Sequence, residues 1–302
     1  MTLPAFLLIL ASVFLHAGWN LLLKGGTPSV AANFLRNSSV LLYMLPCLFW
    51  CPLPQLALPR GFWLCLAGSI AGELLYNLSL AYGYRLFDLS LFYPLARALP
   101  VVMLAIGSFF LPLGRERPGV WAILGMAMVF FGCLYMASQR KVPADTASRR
   151  NYLLWFWVLV GATGTCLYTG FDHAGTNLVK ESGTLAWGLL PACAYFGLVE
   201  VGLTVGNGLI VAFSPDERTN FKKLCGKTCV PLVAGLFDAL SYTLVLVAYT
   251  KATNASLVFA FRQLGLPVGF LGGMLFFHEK PLLNKLIGLT AIVLGLLVAS
   301  CD

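Results

Sequence analysis

Five ionisable residues stand within long apolar runs of this 302-residue chain: Glu73, Arg97, Glu200, Asp238 and Arg262. A charge at the centre of a bilayer costs about 2.5–3.5 kcal/mol on insertion scales, so each such group calls for a partner or a function. Glu73 lies fourteen residues before a turn near Phe87 and Arg97 ten after it, and Asp238 and Arg262 flank Thr253 in the same way. At a rise of about 1.5 Å per residue these depths are roughly 21 and 15 Å, which brings long side chains within reach across a helical hairpin. The spacing therefore predicts two acid–base pairs, Glu73 with Arg97 and Asp238 with Arg262. Two readings fit them. Each pair neutralises itself and holds its hairpin together, or an Arg takes an anionic substrate group such as a carboxylate in a bidentate grip while Glu73 or Asp238 carries a coupled proton.

Further polar groups fall on shared helix faces. Glu73, Tyr76 and Asn77 stand at i, i+3 and i+4, and Asp238 and Tyr242 at i and i+4. Tyr93 and Arg97 share a face between Pro94 and Pro100, which weaken the helix and free backbone carbonyls. Gln263 follows Arg262 directly. His16, Asn20 and Lys24 form one row with Trp19 beside it; His16 is read equally as a buried neutral imidazole bonded to a neighbouring helix, and Trp19 and Lys24 as interfacial anchors. Thr165, Tyr168 and Asp172 make a comparable stripe, with Asp172 near a helix end, where it caps or meets solvent as readily as substrate. Glu200 and Asn207, seven apart, read as a satisfied packing pair.

The elements that must position these residues follow from composition. Hydrophobic residues make up 59% and charged residues 11% of the chain, against about 25% charged in a soluble domain. Ten apolar segments, near 3–23, 30–50, 61–84, 89–113, 118–138, 152–173, 185–213, 229–250, 255–277 and 282–300, approach the length that crosses a bilayer as a helix. The expected class is an all-α integral membrane protein of ten transmembrane helices whose partner is the lipid bilayer. The first segment has no basic residue ahead of it and is read as a retained span rather than a signal peptide.

The ten segments repeat. Tyr76, Arg85, Asp88 and Ser90 recur in register as Tyr242, Lys251, Asn254 and Ser256, and Glu116-Arg-Pro118 with Gly125 and Gly132 recurs as Glu279-Lys-Pro281 with Gly288 and Gly295. The expected organisation is a five-helix repeat over residues 1–138, a basic linker over 139–150 and a second five-helix repeat over 151–302. Because five is odd, two halves of one fold must cross the membrane in opposite senses, the inverted-repeat plan whose site lies near the midplane between halves. The paired glycines permit close helix packing within the chain, or a homodimer through spans 5 and 10.

The net charge of +8 is carried mainly in short loops, a pattern of membrane topology rather than nucleic-acid binding. Loops after odd-numbered spans hold thirteen of the twenty Lys and Arg, counting Arg36 at the border of span 2, which places both termini outside the cytoplasm. The nine cysteines lie mostly in apolar runs, and Cys225 with Cys229 lacks the second pair or His that zinc needs, so neither metal nor cofactor is expected.

His16-Ala-Gly-Trp19-Asn20-Leu-Leu-Leu-Lys24 in span 1, Tyr168-Thr-Gly-Phe-Asp172-His-Ala-Gly175 in span 6, Gly114-Arg-Glu116 and His278-Glu279-Lys280 at the ends of spans 4 and 9, and the glycine pairs of spans 5 and 10 resemble the drug/metabolite transporter superfamily in its ten-span, two-repeat EamA-type form. The likeness covers nearly the whole chain. It implies a central cavity lined by spans 1, 3, 4, 6, 8 and 9, alternating access, and transport of a small metabolite across a plasma membrane of the bacterial inner-membrane kind, typically efflux. It also implies cytoplasmic termini, opposite to the charge pattern.

The expected function is secondary transport of a small molecule, such as an amino-acid-like compound or another organic anion or zwitterion, without enzymatic activity. Movement of a lipid-linked head group is the alternative within transport. An integral-membrane enzyme is the alternative outside it, though the chain has no His-Glu-x-x-His, no Gly-x-Ser-x-Gly and no complete P-loop around Gly226-Lys227-Thr228.

Overall fold

The computed structural model describes residues 2–24, 28–51, 53, 58–87, 89–110, 118–138, 147–183, 185–252, 254–269, 271 and 283–301. Among these the regular elements are all helical: α1 (Leu3–Lys24), α2 (Val30–Trp50), α3 (Arg60–Leu86), α4 (Leu89–Phe110), α5 (Val120–Ser138), α6 (Ala147–Glu181), α7 (Leu189–Phe213), α8 (Pro215–Leu224), α9 (Val230–Tyr249), α10 (Ala255–Arg262) and α11 (Leu283–Ala299).

Among the described residues, six helices are long and apolar enough to cross a membrane: Leu3–Asn20, Arg60–Leu86, Phe92–Phe110, Asn151–Glu181, Leu189–Phe213 and Val230–Tyr249, with shorter apolar helices at Val120–Tyr135 and Leu286–Ala299. α2 stands apart because its first half carries Asn33, Arg36, Asn37, Ser38 and Ser39. Large apolar side chains face outward along the bundle, with Phe49, Phe110 and Phe213 each more than 80% exposed. A helical surface of this kind is stable against hydrocarbon and costly in water. The chain thus has the architecture of an α-helical integral membrane protein.

Three segments depart from expectation. The polar stretch 214–227, between the expected spans 185–213 and 229–250, contains α8. Ser214 caps it by accepting from the Glu217 N–H at 3.4 Å, Pro215 opens it, Asp216 and Glu217 occupy its first turn, and Lys222 and Lys223 its last. Each choice suits the helix dipole and its unpaired end groups. α6 begins inside the stretch expected as a linker and runs 35 residues, far past the expected end near 173. The expected ninth span is broken: α10 stops at Arg262, and the Gln263 and Leu264 N–H groups donate three residues back, to Ala260 and Phe261. Helical turns resume over 265–269, and Glu116 and Glu279 lie outside the described residues.

The principal helix pairs are α3 with α6, α5 with α11, α1 with α9 and α2 with α7; α4 packs on α5 and α6, and α9 on α2. Glycines set the closest approaches. A Cβ on Gly125 would come within 2.3 Å of the Gly295 carbonyl oxygen, and one on Gly132 within 2.7 Å of that of Gly288. The four glycines of spans 5 and 10 therefore meet inside one chain. Gly72 and Gly164 play the same part between α3 and α6, each leaving no room for a side chain against the other's carbonyl oxygen.

Candidate functional site

The polar residues predicted from the sequence converge on the interior between the helix pairs. From α1 come His16, Trp19 and Asn20. Asn20 Nδ2 donates to the His16 carbonyl at 2.8 Å, which turns its amide back along its own helix. His16 faces donors on both ring nitrogens, Arg97 Nη2 at 2.7 Å from Nε2 and Trp19 Nε1 at 3.2 Å from Nδ1. A neutral imidazole accepts at one nitrogen only. Arg97 and the Trp19 indole both only donate, so one neutral tautomer of His16 can accept from just one of them, and the shorter contact is that of Arg97.

Arg97 comes from α4, whose Pro94 and Pro100 bracket it. Besides His16, its Nε and Nη2 both donate to Tyr93 Oη at 3.2 Å. Arg262 sits at the end of α10, where the break just described leaves its guanidinium 5.4 Å from the ring centre of Tyr242 and its Nη1 buried without a hydrogen-bond partner. Gln263 is fully buried beside it, with Nε2 donating to the Phe259 carbonyl at 3.4 Å and Oε1 unpartnered.

The expected acid–base pairs do not form among the described residues. Asp238 Oδ2 lies 3.4 Å from Nε of Arg36, a cation of α2, and not against Arg262. Arg36, placed at a loop border by the charge reading, is 5% exposed in the body of α2; its Nη2 donates to Asn77 Oδ1 at 3.1 Å and Asn37 Oδ1 at 3.3 Å, and its guanidinium lies 4.8 Å from the Trp19 ring centre. Glu73 meets no ion-pairing distance to Arg97, and shares its electrostatic surroundings with Asp172, Asp238, Arg36 and Arg262.

Asp172 lies well inside α6 and is fully buried, not at a helix end as expected. Tyr195 donates to its Oδ1 at 2.8 Å, and Tyr242 donates to its Oδ2 in a short bond. Tyr168 stands between Tyr76 and Tyr242, with edge-on ring contacts at 5.9 and 6.1 Å. Five helices thus contribute Tyr76, Tyr93, Tyr168, Tyr195, Tyr242 and Tyr249 to the interior that also holds Arg36, Arg97, Arg262, Glu73, Asp172 and Asp238.

Glu200 and Asn207 are buried on α7, but Glu200 Oε2 and both polar atoms of the Asn207 amide have no partner, so they are not a satisfied pair. Sequence reasoning missed three contributors outright: Arg36, Asn37 and Tyr195. For Arg36 the signal was present, since it is the seventh residue of a helix that continues without a break to Trp50. Tyr195 carried none, because a Tyr in an apolar run is ordinarily core.

No protein-family model matches the sequence, and neither does any curated protein. A solved structure described only as "Crystal structure of protein" superposes on 100% of this chain and 98% of its own length with a TM-score of 0.73, at 15% sequence identity. At that identity the likeness is one of fold alone.

Proposed function

We propose that the chain is a ten-span secondary transporter of the drug/metabolite transporter type, built as two inverted five-helix repeats, that exports a small metabolite across a bacterial inner membrane by alternating access around the buried polar cluster. One observation carries this reading. When α1–α5 are exchanged with α6, α7, α9, α10 and α11, the principal helix pairs map onto one another. α1 with α9 becomes α6 with α3, α2 with α9 becomes α7 with α3, α4 with α6 becomes α10 with α1, and α4 with α5 becomes α10 with α11, while α2 with α7 and α5 with α11 map onto themselves. Such a pattern is what two matched halves around one site would produce. Matching α1 to α6 also aligns His16-Ala-Gly18-Trp-Asn20 with His173-Ala-Gly175-Thr-Asn177, which supports a common ancestry of the two halves.

The polar cluster supports the same reading. Ionisable groups from α1, α2, α3, α4, α6, α9 and α10 meet where the two halves face each other, at a cost a purely structural bundle avoids. Broken or proline-bearing helices carry both Arg97 and Arg262, as expected where backbone lines a polar cavity.

Comparing metabolites in the medium and in the cells of overexpressing and deletion strains tests the proposal. An exporter raises a pre-existing compound outside and lowers it inside. A compound newly made or consumed in the cells, with no change in distribution, would mark an enzyme and defeat the reading.

A further inference from the structure

Resting on the transport reading, the structure carries one step further, to the chemistry of the cargo. Arg97 is 3% and Arg262 6% exposed, and no carboxylate oxygen of the described residues comes within 4 Å of either guanidinium; the ion pairs among those residues are Arg36 with Asp238 and Arg85 with Glu217. Asp172 has one tyrosine hydroxyl on each oxygen and Asp238 faces Arg36, while Glu73 lies within electrostatic reach of Arg262 without pairing with it. The groups in direct contact with the two cations are neutral, with the carboxyl groups of Glu73, Asp172 and Asp238 farther from Arg262. Arg97 has Tyr93 and an imidazole that can only accept; Arg262 has the Tyr242 ring and an Nη1 with nothing to bond.

The two guanidinium groups also lie within electrostatic reach of one another, and both within reach of Tyr168. Two like charges, buried in a membrane protein and without a carboxylate at ion-pairing distance among the described residues, are an arrangement that burial opposes unless an anion joins them. Planar guanidinium groups with free N–H donors match the two oxygens of an oxyanion. Tyr76 and Tyr168 add aromatic faces and hydroxyls beside them, the composition of a small-molecule pocket with a few placed polar groups.

We propose that Arg97 and Arg262 together bind the oxyanion of the transported molecule, a carboxylate or a phosphate monoester, from opposite halves of the bundle. Because one Arg comes from α4 and the other from the break after α10, a single anion bridges the two halves. His16 gives up its Arg97 contact to the incoming oxygen. The site is thereby selective for charge first, with the tyrosines acting on the rest of the molecule.

The test uses the full chain in nanodiscs of neutral phosphatidylcholine, with thermal unfolding as readout and four probes: benzoate, phenyl phosphate, L-phenylalanine and the uncharged benzamide. The inference expects at least one anionic probe to raise the unfolding temperature in a saturable way, and benzamide to leave it unchanged. Arg97→Gln and Arg262→Gln should each weaken that probe at least tenfold, while Arg97→Lys, which keeps the charge but not the planar fork, gives an intermediate loss and covers a failure of the Gln variant to fold. Which of benzoate and phenyl phosphate protects more assigns the oxyanion. Stabilisation by phosphatidylglycerol in the nanodisc, with none from the soluble anions, would assign it to a lipid head group and overturn a soluble cargo. Equal protection by benzamide, or anion binding unchanged in both Gln variants, overturns the inference. Its failure is separable from that of the transport reading: metabolite export without anion binding refutes only the oxyanion site, and anion binding without any change in metabolite distribution refutes only transport.

Discussion

Arg36 of α2 stands 3.4 Å from Asp238 of α9, so the acid that sequence spacing pairs with Arg262 is neutralised by a residue from the other half of the chain. The side chains are 7% and 13% exposed, which makes this a buried pair. Removing one partner of such a pair strands the other, at a cost of about 3–5 kcal/mol, whereas replacing both with apolar groups is often neutral. Arg36→Met alone should therefore lower the unfolding midpoint in detergent sharply, and Arg36→Met with Asp238→Leu should recover much of the loss. Equal destabilisation by the single and double variants would refute the coupling. The loss of the Asn37 and Asn77 bonds sets a limit on how complete the recovery can be.

Asp172 offers a second measure of polar burial. Tyr195 and Tyr242 each supply one of its hydroxyl partners, from α7 and α9. Tyr195→Phe keeps the ring and removes one donor from a buried carboxyl, which should cost about 1–3 kcal/mol. Tyr242→Phe should cost a similar amount, and the two together should differ from the sum because they share one acceptor. A pair of denaturant titrations with the double variant checks this, and strict additivity would contradict a shared site.

Helix positions were legible in the sequence because length and apolarity decide them, as at α1, α3, α7 and α9. The breaks were less so. Pro94 and Pro100 marked α4, whereas the stop of α10 at Arg262 was not expected although Gly265 and Pro267 follow it; Pro267 has no N–H to donate to the Gln263 carbonyl, which takes the Leu266 N–H instead. α8 was legible and overlooked: Ser214-Pro-Asp-Glu217 is a capping box with proline in the first turn. Of the site, the spacing arguments found which residues turn inward but not whom they meet. Spacing along one hairpin says nothing of a third helix: Arg36 of α2 took Asp238, the acid expected to pair with Arg262, and Tyr195 of α7 took Asp172, expected near a helix end.

The glycine seams give a graded test. Gly125→Val must displace the backbone of α11, since even a Cβ would lie 2.3 Å from the Gly295 oxygen. Gly183 has φ of 67° and nothing within 4 Å, so Gly183→Ala meets only the conformational penalty of about 1 kcal/mol. The expected order is severe loss of folded yield for Gly125→Val and a small drop in midpoint for Gly183→Ala, read by size-exclusion recovery and thermal melts. A well-folded Gly125→Val protein would show that α5 and α11 do not need this approach.

Glu217 joins three elements from α8. Its Oε2 accepts from the Ala31 N–H at 3.0 Å, beside the Ser29 cap at the start of α2, and its Oε1 lies 2.6 Å from Arg85 Nη1 at the end of α3. A carboxylate at a helix N-terminus contributes up to about 2 kcal/mol when partly buried. Glu217→Ala should therefore cost about 2 kcal/mol or somewhat more, since it also leaves the Ala31 N–H unpaired. Arg85 is 33% exposed, so Arg85→Ala should cost under about 1 kcal/mol and its effect should fade with salt. Unfolding midpoints at low and high ionic strength separate the two, and an Arg85→Ala effect as large as that of Glu217→Ala would mean that the ion pair, not the helix terminus, dominates.

The two acids proposed for proton coupling now differ in kind. Asp238 is committed to Arg36, and neutralising it strands a buried guanidinium, so Asp238→Asn should act first on folding. Glu73 has no ion pair with Arg97, and its neighbours Asp172, Asp238, Arg36 and Arg262 present charges of both signs at a distance. That leaves Glu73 free to exchange a proton without breaking an ion pair of the bundle. In proteoliposomes loaded with the exported compound, Glu73→Gln should abolish substrate-dependent proton flux while leaving the unfolding midpoint close to that of the wild type. Asp238→Asn should lower the midpoint, and whatever protein folds should keep a proton-to-substrate ratio near that of the wild type. Unchanged coupling in Glu73→Gln would remove Glu73 from the proton path, and loss of coupling in a fully stable Asp238→Asn would reverse the assignment.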